Sequence, residues 1–69
     1  MLFGNDKRVM KATDKYWTYL LILVECEKGR WRVDDHKNFE TNTILWGTEE
    51  ECREEFIRIV DKMELEITK

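Results

Sequence analysis

The sequence predicts an α+β fold: a small antiparallel β-sheet of three to five strands, joined as a hairpin meander and packed on one face by a single amphipathic helix near the C-terminus. Three observations predict it. The run from Tyr16 to Cys26, YWTYLLILVEC, is apolar on both alternating faces for most of its length, as a strand between two covers would be. Residues 48–63 carry apolar side chains at helical spacing behind a helix-start signal. No linker, repeat or low-complexity block divides the 69 residues, so 1–69 reads as one domain, with the sheet over about 8–46, the helix over about 48–63 and a possible edge strand over 65–68.

The first strand spans about Arg8 to Thr13 and turns through Asp14 and Lys15. That turn sets Ala12 opposite Trp17, Met10 opposite Tyr19 and Arg8 opposite Leu21. A second turn at Lys28 and Gly29, with glycine supplying a positive φ, makes Glu27 face Arg30, Cys26 face Trp31, Glu25 face Arg32 and Val24 face Val33. Every one of these pairs is complementary. The chain then turns through DDHKN, NTILW forms a further short strand, and Gly47 breaks the run.

The helix opens at Thr48, which stands in capping-box spacing with Glu51, and Glu49, Glu50 and Glu51 place negative charge at the positive end of the helix dipole. Cys52, Phe56, Ile59, Val60 and Met63 form its apolar stripe, and Glu54 and Arg58 are set for an i, i+4 pair. The tail LEITK alternates and can add an edge strand. In this register Val24, Cys26, Trp31 and Val33 lie under the helix. The opposite face carries Met10, Ala12, Trp17, Tyr19, Leu21 and Leu23 at one end and Glu25, Glu27, Arg30 and Arg32 at the other.

Size and charge bound the function. A domain this small buries only about 60% of its unfolded surface, so association is a natural source of further burial. A formal charge of -3 argues against a phosphate-driven partner. Two cysteines without a secretory n-region point to a reducing compartment, and the apolar stretch Leu20 to Val24 is too short to span a bilayer. The expected location is cytoplasmic, in the host cytoplasm if the protein is viral, with no membrane partner.

The uncovered face is the leading candidate site, with Met10, Trp17, Tyr19, Leu21 and Leu23 as partner-binding residues, because aromatic residues and Met concentrate at interface centres. Its occupant is another protein, a second copy in a two-fold homodimer, or a covering segment from Met1 to Phe3 or LEITK. An alternative site for nucleic acid is Lys28, Arg30 and Arg32 around Trp31. The order GRWRV followed by ILWGTEEECREEF distantly resembles the three-strand-plus-helix DNA-binding domains of plant AP2 type and of integrase arms, which implies a sheet that reads DNA. A second alternative is an acidic surface imitating a DNA backbone, formed by Glu50, Glu51, Glu54 and Glu55 with Glu49.

His36 stands alone in a polar turn, and Cys26 and Cys52 point toward the core. No catalytic residue, metal site or cofactor is therefore expected. The reading is a non-catalytic protein-binding module, similar in size and composition to phage or mobile-element inhibitors of host enzymes or defence systems, anti-CRISPR proteins included. Nucleic-acid binding or transcription regulation through the sheet, and a structural role in a larger assembly, are the alternatives.

Overall fold

A computed structural model describes residues 6–68, apart from the side chain of Lys28. The chain runs β1 (Lys7–Thr13), β2 (Leu20–Glu25), β3 (Trp31–Lys37), β4 (Glu40–Gly47), α1 (Glu49–Met63) and β5 (Glu66–Thr68). The strands form one five-stranded sheet in the order β4-β3-β2-β1-β5, antiparallel throughout. One helix covers one face, as the α+β prediction requires. The expected edge strand is β5, which pairs with β1 through Ala12 and Ile67.

The helix begins where its capping chemistry places it. The Thr48 hydroxyl accepts from the Glu51 N–H at 3.2 Å and the Glu51 carboxylate accepts from the Thr48 N–H at 2.9 Å, so two otherwise unpartnered donors are satisfied together. Gly47 leaves room for this: a Cβ there would stand 2.5 Å from Glu51 Oε1. At the other end Glu64 adopts the left-handed conformation at φ 55° and closes the helix without glycine. Cys52, Phe56, Ile59 and Val60 are buried against the sheet, whereas Met63, placed in the same stripe by sequence, is exposed. Arg58 pairs with Glu55 rather than Glu54, and Arg53 pairs with Glu49.

Both hairpin registers differ from the sequence reading, and the difference decides which face is which. The turn between β2 and β3 does position Gly29 at φ 75°, but it occupies a short 3-10 turn over Glu27–Gly29, closed by the Cys26 N–H donating to the Arg30 carbonyl at 2.7 Å. Glu25 therefore faces Trp31, Val24 faces Arg32 and Leu23 faces Val33. A one-residue slip moves every side chain of a strand to the other face. Leu21 and Leu23 thus join Trp31 and Val33 beneath the helix, with Ala12, Cys52, Phe56, Ile59, Val60 and Leu65. Val24 and Cys26, expected there, pack with Ile22 on the opposite face. Cross-strand charge pairs contribute roughly 0.2–1 kcal/mol each, and fully burying a leucine contributes about 1.5–3 kcal/mol, so the packing of two leucines outweighs the charge matching.

The first hairpin is wider than a two-residue turn. Thr13 pairs with Leu20 and Ala12 with Leu21, which leaves residues 14–19 as a loop instead of the start of a strand. Asp14 organises it: Oδ1 accepts from the Thr18 N–H at 2.8 Å and Oδ2 from the Thr18 hydroxyl at 2.6 Å. The segment DDHK, read as a turn, continues β3, and the reversal falls at Asn38 and Phe39 between the paired Lys37 and Glu40. Both turn residues have positive φ, 54° and 65°, the signature of a type I′ hairpin.

Candidate binding surface

Of the five residues expected to form a partner-binding patch, four belong to the helix-covered side. Leu21 and Leu23 have no exposed surface, and Met10 and Tyr19 pack against the same core. The Tyr19 hydroxyl donates to Asp35 at 3.1 Å, and burial together with that carboxylate pushes its pKa up to about 12. Only Trp17 is open to solvent, at 74% exposure in the β1–β2 loop. The covering segment proposed from Met1 to Phe3 lies outside the described residues. The LEITK tail covers nothing on the opposite face; it buries Leu65 in the main core and pairs as β5.

The uncovered face is the one opposite the helix. Its centre is the β2 stripe of Leu20, Ile22, Val24 and Cys26, flanked on β3 by His36, Asp34 and Arg32. Arg32 spans this face: Nη1 donates to Asp6 at 3.0 Å and to Cys26 Sγ at 3.3 Å, while Nε donates to Asp34 at 2.9 Å. Asp34 also accepts from the Thr43 hydroxyl at 2.8 Å, which accounts for a carboxylate with only 5% exposure. Burial works against the Arg32 charge, and the two carboxylates outweigh it and raise its pKa. Burial likewise raises the thiol pKa of Cys26, with Arg32 opposing, so the sulfur is a poor nucleophile. Beside the stripe lies a concavity of about 610 Å³ lined by Asp6, Arg8, Leu20, Arg32, His36 and Thr41 among others.

Trp46 completes this face at its edge. It pairs with Arg32 across β3 and β4, is 53% exposed, and has the guanidinium carbons of Arg30 and Arg32 at 5.4 and 5.6 Å from its ring. Trp31, read as the aromatic centre of the basic triplet, points the other way and is buried beneath Arg53, whose guanidinium carbon stands 5.3 Å from the ring. The structure therefore keeps Arg30 and Arg32 together and replaces their aromatic partner. Lys28, grouped with them by sequence, has its side chain outside the described residues.

A second set of exposed aromatics lies at the end of the sheet where β2 begins and β3 turns into β4. Tyr16 and Trp17 occupy the β1–β2 loop at 71% and 74% exposure, and Phe39 is 99% exposed at the β3–β4 turn. Trp17 and Phe39 both have positive φ, 61° and 65°, a conformation uncommon for bulky residues. Sequence reading missed Phe39 because the turn was placed before it. The signal available was Asn38, which favours the first position of a type I′ turn.

The acidic helix surface is interrupted. Between Glu49 and Glu64 the chain holds seven carboxylates and three cations; Glu51 is consumed in the cap, Glu49 pairs with Arg53 and Glu55 with Arg58. Glu50 and Glu54 flank Arg53 on the exposed side. Among the described residues no group of three His, Cys, Asp or Glu side chains is placed to hold a metal ion, and no helix is long and apolar enough to cross a membrane. His36 is half-buried with Nδ1 2.8 Å from the Thr41 hydroxyl.

No protein-family model matches the chain, no curated protein matches it and no solved structure matches it.

Proposed function

We propose that this chain is a small protein-binding module that engages its partner through the uncovered sheet face, centred on Trp46. The observation that carries the reading is a half-exposed tryptophan on that face with two arginine guanidiniums against its ring. Trp and Arg are the residue types most concentrated at energetic centres of interfaces, and an aromatic–Arg stack presents an apolar surface and oriented donors together. The Asp6–Arg32–Asp34 bridge fixes one of the two arginines before any partner arrives, which lowers the ordering cost of binding.

Nucleic-acid binding is the second reading, favoured by the same stack, since bases pack on aromatic rings and arginines contact phosphate. Two features place it second: Arg32 is already neutralised by two carboxylates, and the whole chain carries a formal charge of -3. The test uses the purified chain and its Trp46→Ala variant as bait in lysate of the native source, at low and high salt. A protein held at high salt by the wild type and lost by Trp46→Ala supports the proposal. Recovery of nucleic acid alone, with retention that falls steeply with salt, transfers the assignment to the second reading. Equal capture by both baits removes Trp46 from the interface.

A further inference from the structure

Trp17 and Phe39 share an end of the sheet, a near-complete exposure and an unfavourable backbone conformation. The order β4-β3-β2-β1 sets the β1–β2 loop two strand spacings from the β3–β4 turn, about 10 Å laterally. Positive φ costs a non-glycine residue roughly 1–2 kcal/mol, and neither ring recovers it by packing, Phe39 being 99% and Trp17 74% exposed. Both loops are nonetheless held in place. Asp14 fixes the first through Thr18 and through its carbonyl, which accepts from the Trp17 N–H at 3.2 Å. The second is closed by the pairing of Lys37 with Glu40. Strain that the surroundings maintain and the fold does not use points outward, to a bound state.

Resting on the protein-binding reading and adding a second contact to it, we infer that Trp17 and Phe39 are a pair of preset aromatic knobs that insert into an apolar cleft on a partner protein. A convex pair needs a concave receptor, and fixed aromatic anchors lose little freedom on binding. The charge at this end selects a protein over a lipid surface. Lys15, Lys37 and Lys62 are balanced there by Asp14, Glu40 and Glu64, so the net positive field that draws a segment to anionic lipid is absent.

The experiment replaces Trp17, Phe39, Trp46 and Ile57, one at a time, by the photo-crosslinking residue benzoyl-phenylalanine, with irradiation in native lysate and in vesicles of phosphatidylcholine and phosphatidylserine. The expected result is one and the same protein adduct from Trp17 and Phe39, none from Ile57 on the exposed helix face, and no vesicle adduct. Unlabelled wild type should compete for that adduct, and the Trp17→Gly, Phe39→Gly double variant, checked for folding by circular dichroism, should compete at least roughly tenfold less well, the loss of one interface hot spot or more. Different proteins from the two positions, an adduct shared with Ile57, vesicle labelling, or undiminished competition overturns the inference. An adduct at Trp46 with none at Trp17 or Phe39 overturns it while sparing the protein-binding reading; no protein adduct at any position removes both.

Discussion

Phe39→Gly should make this protein more stable. The substitution converts the β3–β4 turn to Asn-Gly, the favoured sequence for two successive residues at positive φ, where the chain now holds Asn38 at 54° and Phe39 at 65°. Relief of the left-handed conformation is worth about 1–2 kcal/mol. No packing is forfeited, because the ring is 99% exposed. Glycine's extra freedom in the unfolded chain returns roughly 0.4–1 kcal/mol, leaving a net gain of about 0.5–1 kcal/mol and, at ~4–8 °C per kcal/mol for a domain of this size, a rise in melting temperature of about 2–8 °C. Thermal unfolding followed by circular dichroism measures it. Phe39→Ala is the control: it removes the ring, keeps the strain and should stay within about 0.5 kcal/mol of wild type. A melting temperature lowered by Phe39→Gly would show that the ring makes stabilising contacts in solution and that the turn is not strained.

Glu64→Gly relieves the same conformation at the helix C-cap, φ 55°, and should raise the melting temperature by a similar amount, about 1 kcal/mol, while leaving partner capture unchanged because Glu64 presents no aromatic anchor. Leu21→Ala removes a side chain with no exposed surface and should cost about 2–5 kcal/mol. A domain of this length has roughly 3–10 kcal/mol in total, so circular dichroism should show a largely or partly unfolded variant, and a fully folded protein with altered mass would return Leu21 to the surface. Asp14 has its pKa held below 3.8, first by the Thr18 hydroxyl and then by backbone N–H groups. Its contribution is present above the unfolded-state value near 3.8 and is lost as pH falls through the lower folded-state value; the melting-temperature gap between wild type and Asp14→Asn should therefore narrow in acid, and a gap that widens below that pH would contradict the assignment.

What was legible in the sequence follows the range of the forces involved. The helix was readable from Thr48 to Met63 because its cap, dipole charges and apolar stripe are all set within a few residues of one another. The strands at Arg8–Thr13 and NTILW, and the positive φ at Gly29, were readable for the same reason. The registers were not. Charge matching around Lys28 and Gly29 is local but weak, and the competing contribution, two leucines against Phe56 and Trp31, exists only once the helix has docked. The loop at 14–19 was hidden by composition: YWTY has the β-branched and aromatic content of a strand, and the Asp14–Thr18 bonds that hold it out of the sheet depend on a side chain bonding to backbone four residues on.

That one-residue register error carried the functional reading with it. With Leu21 and Leu23 assigned to the core, the long apolar run no longer demands a partner, since α1 covers one side and the Arg32 bridge spans the other. The case for binding then moves to places where local preference and global fold disagree. Helix, core and caps are mutually consistent, as sequences that specify one structure tend to be. Trp17 and Phe39 are where that consistency fails: large apolar side chains, in water, on backbone that disfavours them. Glu64 shares the backbone conformation, but there it ends a helix and leads Leu65 into the core. The strain at Glu64 serves the fold, whereas at the two aromatic positions it orders nothing within the chain, which is the physical reason to look for the other half of those contacts in another protein.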